Sequence, residues 1–240
     1  MTTPKNMPHA ILPLGDNAVY IEFSQKLDLE VNEAVQQLAA AVRSQSVAWL
    51  RDIVPTLGGL ALHFDSDHLG LPESPIDACR QLIDVCLSLP SIPDQASESV
   101  IEIPVCYEPE FAPDLDDVAR QLGLRSDEVV RRHSSAQYRV LMMGFVPGHP
   151  YLGGLDPGLI VPRRATPRAK VAAGSVAIAN AQSSIYPFEI PGGWNLIGRT
   201  PMILFDSARA SPCLLAPRNR VRFVPISGQE FLRLQREFKP

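Results

Sequence analysis

The sequence has 240 residues, 45% of them apolar and 20% charged, a balance that supports either one large domain or two small ones around proper cores. Its formal net charge of −4 opposes a general affinity for nucleic acid or an anionic membrane, and no stretch approaches the ~20 apolar residues of a membrane span. Only four of the 22 basic residues are lysine; the 18 arginines suit fixed, forked contacts with carboxylate or phosphate.

The first predicted element is a strand over 11–23, where Val19, Ile21 and Phe23 alternate with Tyr20 and Glu22 after a turn at Gly15-Asp16-Asn17. A helix follows over 29–43: Val31, Val35, Leu38 and Val42 recur at helical spacing behind Asp28, a good N-cap. Leu60, Leu62 and Phe64 alternate with Ala61 and His63 in a strand over 59–64. A second helix starts at Ser74 and Pro75 and buries Ile76, Cys79, Ile83, Cys86 and Leu87. The four cysteines show neither a CxxC pair nor zinc-like spacing, and residues 1–14 hold one lysine and no long apolar run. Buried free thiols, no signal peptide and a cytoplasmic location are therefore expected.

The segment 88–99, with its prolines and serines, is the expected linker, dividing the chain into domains 1–95 and 96–240. Beyond it strands dominate, over 100–105, 138–145, 175–179, 201–205 and 221–225, as in a barrel or sandwich. Two short helices, 114–122 closed by Gly123 and 126–133, lie between the first two. They imitate a DNA-binding helix pair, but Asp114, Asp116 and Asp117 on the first would repel phosphate, so a structural insertion is expected.

Residues 144–200 hold nine of the 15 glycines and five basic side chains against two acidic ones, which suits an anionic small molecule as well as it suits ordinary turns. His149, between Gly148 and Pro150, is either a turn residue or a titrating group. Arg163, Arg164 and Arg168 sit between prolines that stiffen the segment, ready for an anion or for surface ion pairs. Ser175 follows Gly174 but lacks the nucleophile-elbow pattern, so a binding hydroxyl is the better reading. Trp194 beside Gly192 and Gly193 makes a flat wall or plain core, with Arg199 and Thr200 just beyond. Standard nucleotide loops, HExxH and Cys/His clusters are missing, so no tightly held metal is expected, and no lysine sits between methionines as biotin attachment requires.

The runs GFVPGHPYLGGLD, PRRATPR, AGSVAIA and YPFEIPGGWNLIGRTPMILFD, with LPLGDNAVYIEF, IPVCYEPEFAPDLDDVA and RVRFVPI, closely resemble the family of 5-oxoprolinase B subunits. That family has also been labelled allophanate hydrolase subunit 1 and includes a sporulation histidine-kinase inhibitor; the runs also resemble part of the carboxyltransferase domain of urea carboxylase (subdomain C/D). The resemblance implies an α+β protein: a small N-terminal α/β sandwich domain, then a cyclophilin-like β-barrel carrying the site. It implies one member of a hetero-oligomeric hydrolase, inactive alone, that joins a homologue of the enzyme's C component, and its A component, in converting 5-oxo-L-proline to L-glutamate and acts in lactam activation. ATP, with its Mg, would be shared with the partner protein, and this chain would carry no biotin. A small carboxylate substrate would meet His149, Arg163, Arg164, Arg168, Ser175, Gln182, Trp194, Arg199 and Thr200; no catalytic residue is assigned. The alternatives implied are an inhibitor of a sensor histidine kinase and a protein related to allophanate hydrolase or urea carboxylase. The chain departs from the family pattern at Glu108-Pro109, at His149, where phenylalanine is usual, and at 179–184, where Gln182 keeps its place but two glycines are lost.

Overall fold

A computed structural model describes residues 7–68, 74–89 and 100–238. The chain divides into two units, Met1–Gln95 and Ala96–Pro240.

The first unit opens with a hairpin rather than one long strand. Gly15, at φ +63°, turns β1 (Ala10–Pro13) back onto β2 (Ala18–Glu22). Helix α1 (Leu29–Ser44) begins at Asp28, whose carboxylate accepts from the backbone N–H groups of Glu30 and Val31 at 2.9 and 3.3 Å. A strand that the sequence pattern does not announce, β3 (Leu50–Pro55), then pairs with β4 (Gly59–Phe64), and α2 (Pro75–Ser88) follows. The antiparallel sheet runs β1-β2-β4-β3, and Val19, Ile21, Leu60 and Leu62 pack with Val35 and Leu38 of α1 and Cys79 and Ile83 of α2. The Ser74 carbonyl accepts from the Ala78 N–H at 3.0 Å, but its hydroxyl accepts no backbone N–H of α2 and donates to Asp77 instead. The cysteines are free, and burial pushes the Cys79 thiol up to about 11. Replacing Asp28 with Ala removes a real cap, and a loss of about 1 kcal/mol is expected in urea unfolding of this unit.

The second unit is a closed barrel. Its strands are β5 (Val100–Cys106), β6 (Tyr138–Met143), β7 (Pro150–Gly153), β9 (Ser175–Ala179), β10 (Gln182–Ile185), β12 (Asn195–Arg199) and β13 (Arg220–Ile226). They close in the order β10-β7-β6-β13-β5-β12-β9, with β5 and β13 parallel. Helices α3 (Leu115–Leu122) and α4 (Ser126–Ser135) form the expected insertion after β5, and α5 (Gly228–Glu237) closes the chain. Gly123, at φ +66°, ends α3 in the left-handed conformation that glycine favours. Segment 201–205 is not a strand; only Phe205 bridges, to Cys213. Most of the expected linker lies outside the described residues. Among these residues, no helix is long and apolar enough to cross a membrane.

The barrel strands near the site are covered on both faces. Val176 and Ile178 of β9 point inward to a core with Val105, Val140, Leu152 and Phe223, while Ala177 and Ala179 point outward. A two-stranded ribbon, β8 (Arg168–Val171) with β11 (Ile190–Gly192), supplies the outer cover, and Tyr186, Trp194 and Leu196 fill the space beneath it. The same alternation splits neighbouring serines of β10. Ser183 reaches the core histidine His133, and Ser184 reaches His149 on the outer side.

Candidate functional site

The stretch 144–200 does not make one site; the structure distributes its side chains over several environments. The first is a cavity of about 200 Å³ on the outer face of the barrel, walled by His149, Tyr151, Tyr186, Trp194, Arg163, Arg164 and the backbone of Gly192 and Gly193. Gly192 is required there, because a Cβ would stand 2.3 Å from the Tyr186 hydroxyl oxygen. Phe145 stands at the rim, 66% exposed and with φ at +71°, a conformation unusual for a bulky residue.

The three arginines of PRRATPR divide their work. Arg168 clamps Asp114 with two bonds of 2.8 and 2.7 Å, and Arg164 adds a third at 2.8 Å. The Leu196 N–H gives this carboxylate a fourth, also 2.8 Å, and Asp114 is only 2% exposed. Arg164 and Arg168 are thus largely spent on a buried anion that the protein itself supplies, which corrects their reading as an open anion grip. Asp114 likewise belongs at the centre of a structural clamp, not on a helix that repels DNA. Arg163 is different: it is exposed, lies 5.8 Å over the Trp194 ring and pairs with no carboxylate among the described residues. It is the cation of the set left for a ligand.

His149 is 3% exposed. Its Nε2 lies 3.0 Å from Ser184 Oγ, while its buried Nδ1 has no hydrogen-bond partner among the described residues. Burial pushes the imidazole down to about 4, so the ring is neutral at neutral pH.

Other expected residues lie elsewhere. Arg199 and Thr200 border a second cavity, of about 170 Å³, with Gln235 and Phe238. Arg199 Nε donates to the Ala173 carbonyl at 2.8 Å, and the guanidinium sits 5.9 Å from the Phe231 ring. Gly174 beside them has φ +80°, and a Cβ there would meet the Thr200 carbonyl at 2.2 Å. Ser175 is buried in β9, and Gln182 is buried at the start of β10 with Nε2 unpartnered among the described residues. Neither borders either cavity.

Comparison with known proteins places this arrangement. Residues 9–215 match the carboxyltransferase domain, subdomain C and D, family. The chain belongs to that family. It is 36% identical over 228 residues to the 5-oxoprolinase B subunit of Bacillus subtilis (strain 168), covering 93% of this chain and 95% of the relative. It is 39% identical over 213 residues to the 5-oxoprolinase B subunit of Escherichia coli O157:H7, covering 88% and 94%. The crystal structure of TTHA0988 is similar with a TM-score of 0.76 and 36% identity; the match covers 88% of this chain but 40% of that one. The match therefore spans nearly the full length of these two curated relatives and less than half of TTHA0988.

Sequence reasoning missed Tyr151, Tyr186, Ser184 and Asp114. Tyr151 could have been found, since it lies two residues beyond His149, where an extended chain returns to the same side. Asp114 could not, because its arginines lie 50 and 54 residues away.

Proposed function

We propose that this chain is the B subunit of an ATP-dependent 5-oxoprolinase that converts 5-oxo-L-proline to L-glutamate together with A and C components, this chain helping to hold and activate the lactam. The observation that carries the reading is the match to two proteins named as the B subunit of 5-oxoprolinase, over 95% and 94% of their lengths. The cavity is compatible with it. At about 200 Å³ it is smaller than the ~300–1,000 Å³ of pockets for drug-sized ligands, a size for a single small ring. Arg163 would face the substrate carboxylate, and Trp194 and Tyr186 would flank the ring.

This cavity does not by itself fit a nucleoside triphosphate. It is too small, and Arg164 and Arg168, the side chains best suited to phosphates, are engaged by Asp114. Among the described residues no group of three His, Cys, Asp or Glu gathers to hold a metal ion. ATP and its Mg are accordingly placed with the partner protein in this proposal, and no step is drawn through them.

The test is reconstitution with candidate A and C components. Glutamate should form from 5-oxoproline only when all three proteins are present with ATP. Arg163→Ala should raise KM for 5-oxoproline on the order of 10-fold or more, the loss of one charge-assisted contact, without moving the melting temperature. A complete trio that neither hydrolyses ATP in response to 5-oxoproline nor forms glutamate would rule the proposal out.

A further inference from the structure

The hydrogen bonds around Ser184 bear on which nitrogen of His149 carries its proton. The Ser184 hydroxyl has one proton, and the Pro150 carbonyl at 2.8 Å can only accept, so that proton goes there. The 3.0 Å contact with His149 must then run the other way: Nε2–H donates and Ser184 Oγ accepts. In the neutral ring Nδ1 is left as a bare lone pair. It is buried and unpaired among the described residues, in a ring that forms part of the cavity wall.

The remaining neighbours of the ring do not meet this need. Phe145, Tyr151 and Tyr186 lie at centroid distances of 5.7, 5.0 and 5.4 Å, and none of them donates a hydrogen bond to the ring. A buried acceptor without a donor is rare in folded proteins and calls for an explanation at the site where it occurs. Here the ring that carries it lines the same small cavity as the free cation Arg163 and the flat face of Trp194.

We propose that His149 Nδ1 accepts a hydrogen bond from the ring N–H of a small cyclic amide bound in this cavity, making His149 a specificity residue that selects a lactam over its ring-oxygen analogue. The proposal rests on the substrate reading given above and adds the group that recognises the amide nitrogen. A lactam N–H offers a donor to the lone pair, whereas a lactone oxygen sets one lone pair against another. Discrimination of this kind, by a buried polar group that the wrong ligand leaves unpaired, exceeds what shape alone provides. Because the ring resists protonation down to about pH 4, the acceptor persists throughout the neutral range.

Nitrogen NMR of the full chain labelled with 15N-histidine tests this without any substitution. His149 should show the Nε2–H tautomer from pH 7.5 to 5. The Nδ1 resonance should move on addition of 2-pyrrolidinone or 5-oxoproline and stay still with γ-butyrolactone. A protonated Nδ1, an equal response to lactam and lactone, or no response to either overturns the inference. By calorimetry, 5-oxoproline should bind at least ~10-fold more tightly than its ring-oxygen analogue, and His149→Phe should shrink that gap to under ~3-fold. Phenylalanine keeps the flat volume among Phe145, Tyr151 and Tyr186, and Ser184 keeps its bond to Pro150. If the lactam response appears but the reconstituted trio makes no glutamate, the substrate reading falls and this inference stands. If glutamate forms while His149→Phe discriminates as before, the reverse holds.

Discussion

Replacing Asp114 with Ala should lower the stability of the barrel unit by about 3 kcal/mol, the low end of the cost of breaking a buried ion pair from one side. The carboxylate takes four hydrogen bonds, from Arg164, from Arg168 twice and from the Leu196 N–H. Without it, two guanidiniums and a backbone donor remain with no acceptor. The arginine side chains are 34% and 27% exposed, so water recovers part of the loss, which is why the low end applies. For a unit of this size the melting temperature should fall by ~6–12 °C. Trp194 lies in this unit and Trp49 in the other, so fluorescence in a Trp49→Phe background follows the barrel alone. Arg163→Ala, measured the same way, should stay within ~0.5 kcal/mol, as a surface change does. A shift under ~2 °C for Asp114→Ala would mean that the clamp is not structural. The clamp joins the start of α3, the PRRATPR segment and β12. The Arg164 N–H, bonded to the Gly193 carbonyl at 2.8 Å, extends that tie to the cavity wall. Arg163 is thereby presented from a braced segment, and its neighbours serve function by holding it in place.

What could be read from the sequence follows the physics of exposure. Helix α1, behind the Asp28 cap, shows clear periodicity because it has one covered and one wetter face. Strands β9 and β12 are buried on both sides, by the barrel core and by the β8–β11 ribbon, so no polar alternation marks them. Strand β9 was legible from its β-branched run, while β12, with Asn195, Gly198 and Arg199, looked like a loop. The apolar segment 201–205 misled in the opposite way, since hydrophobic content without a pairing edge makes no strand. At the site, the concentration of arginine was visible but its division was not. Charge counting treated Arg163, Arg164 and Arg168 alike, and only the fold brings Asp114 to two of them. His149 drew notice as a departure from the family pattern, yet its meaning depends on Ser184, 35 residues away. The family was legible because its motifs are long and ordered; the partners of individual side chains were not, because spacing says nothing about contacts closed by a barrel.

Between pH 6.5 and 5 the barrel unit should lose stability steeply as acid is added. His133 is fully buried, with Nδ1 2.8 Å from the Tyr107 hydroxyl, Nε2 3.1 Å from Ser183 Oγ and its ring stacked 4.5 Å from that of Phe223. Burial pushes its imidazole down to about 3, and that of His149 to about 4, from an ordinary value of 6.5. Below pH 6.5 the unfolded chain therefore takes up protons that the folded barrel refuses, and mass action favours unfolding. Above 6.5 both states hold neutral rings, and the two histidines give no pH dependence. Each contributes up to about 1.4 kcal/mol per pH unit, so the pair approaches about 2.7. Glu128, held down to about 2 by hydrogen bonds from Arg131 and Arg132, differs between folded and unfolded states mainly at lower pH. Urea midpoints followed by Trp194 fluorescence should fall continuously from pH 6.5 to 5, and His149→Phe should halve the slope while leaving the pH 7.5 value nearly unchanged. Stability that stays flat between pH 7 and 5 would mean that both rings can be protonated in place. A slope that His149→Phe leaves intact would assign the whole effect to His133, and with it remove the argument that His149 keeps a free acceptor nitrogen in acid.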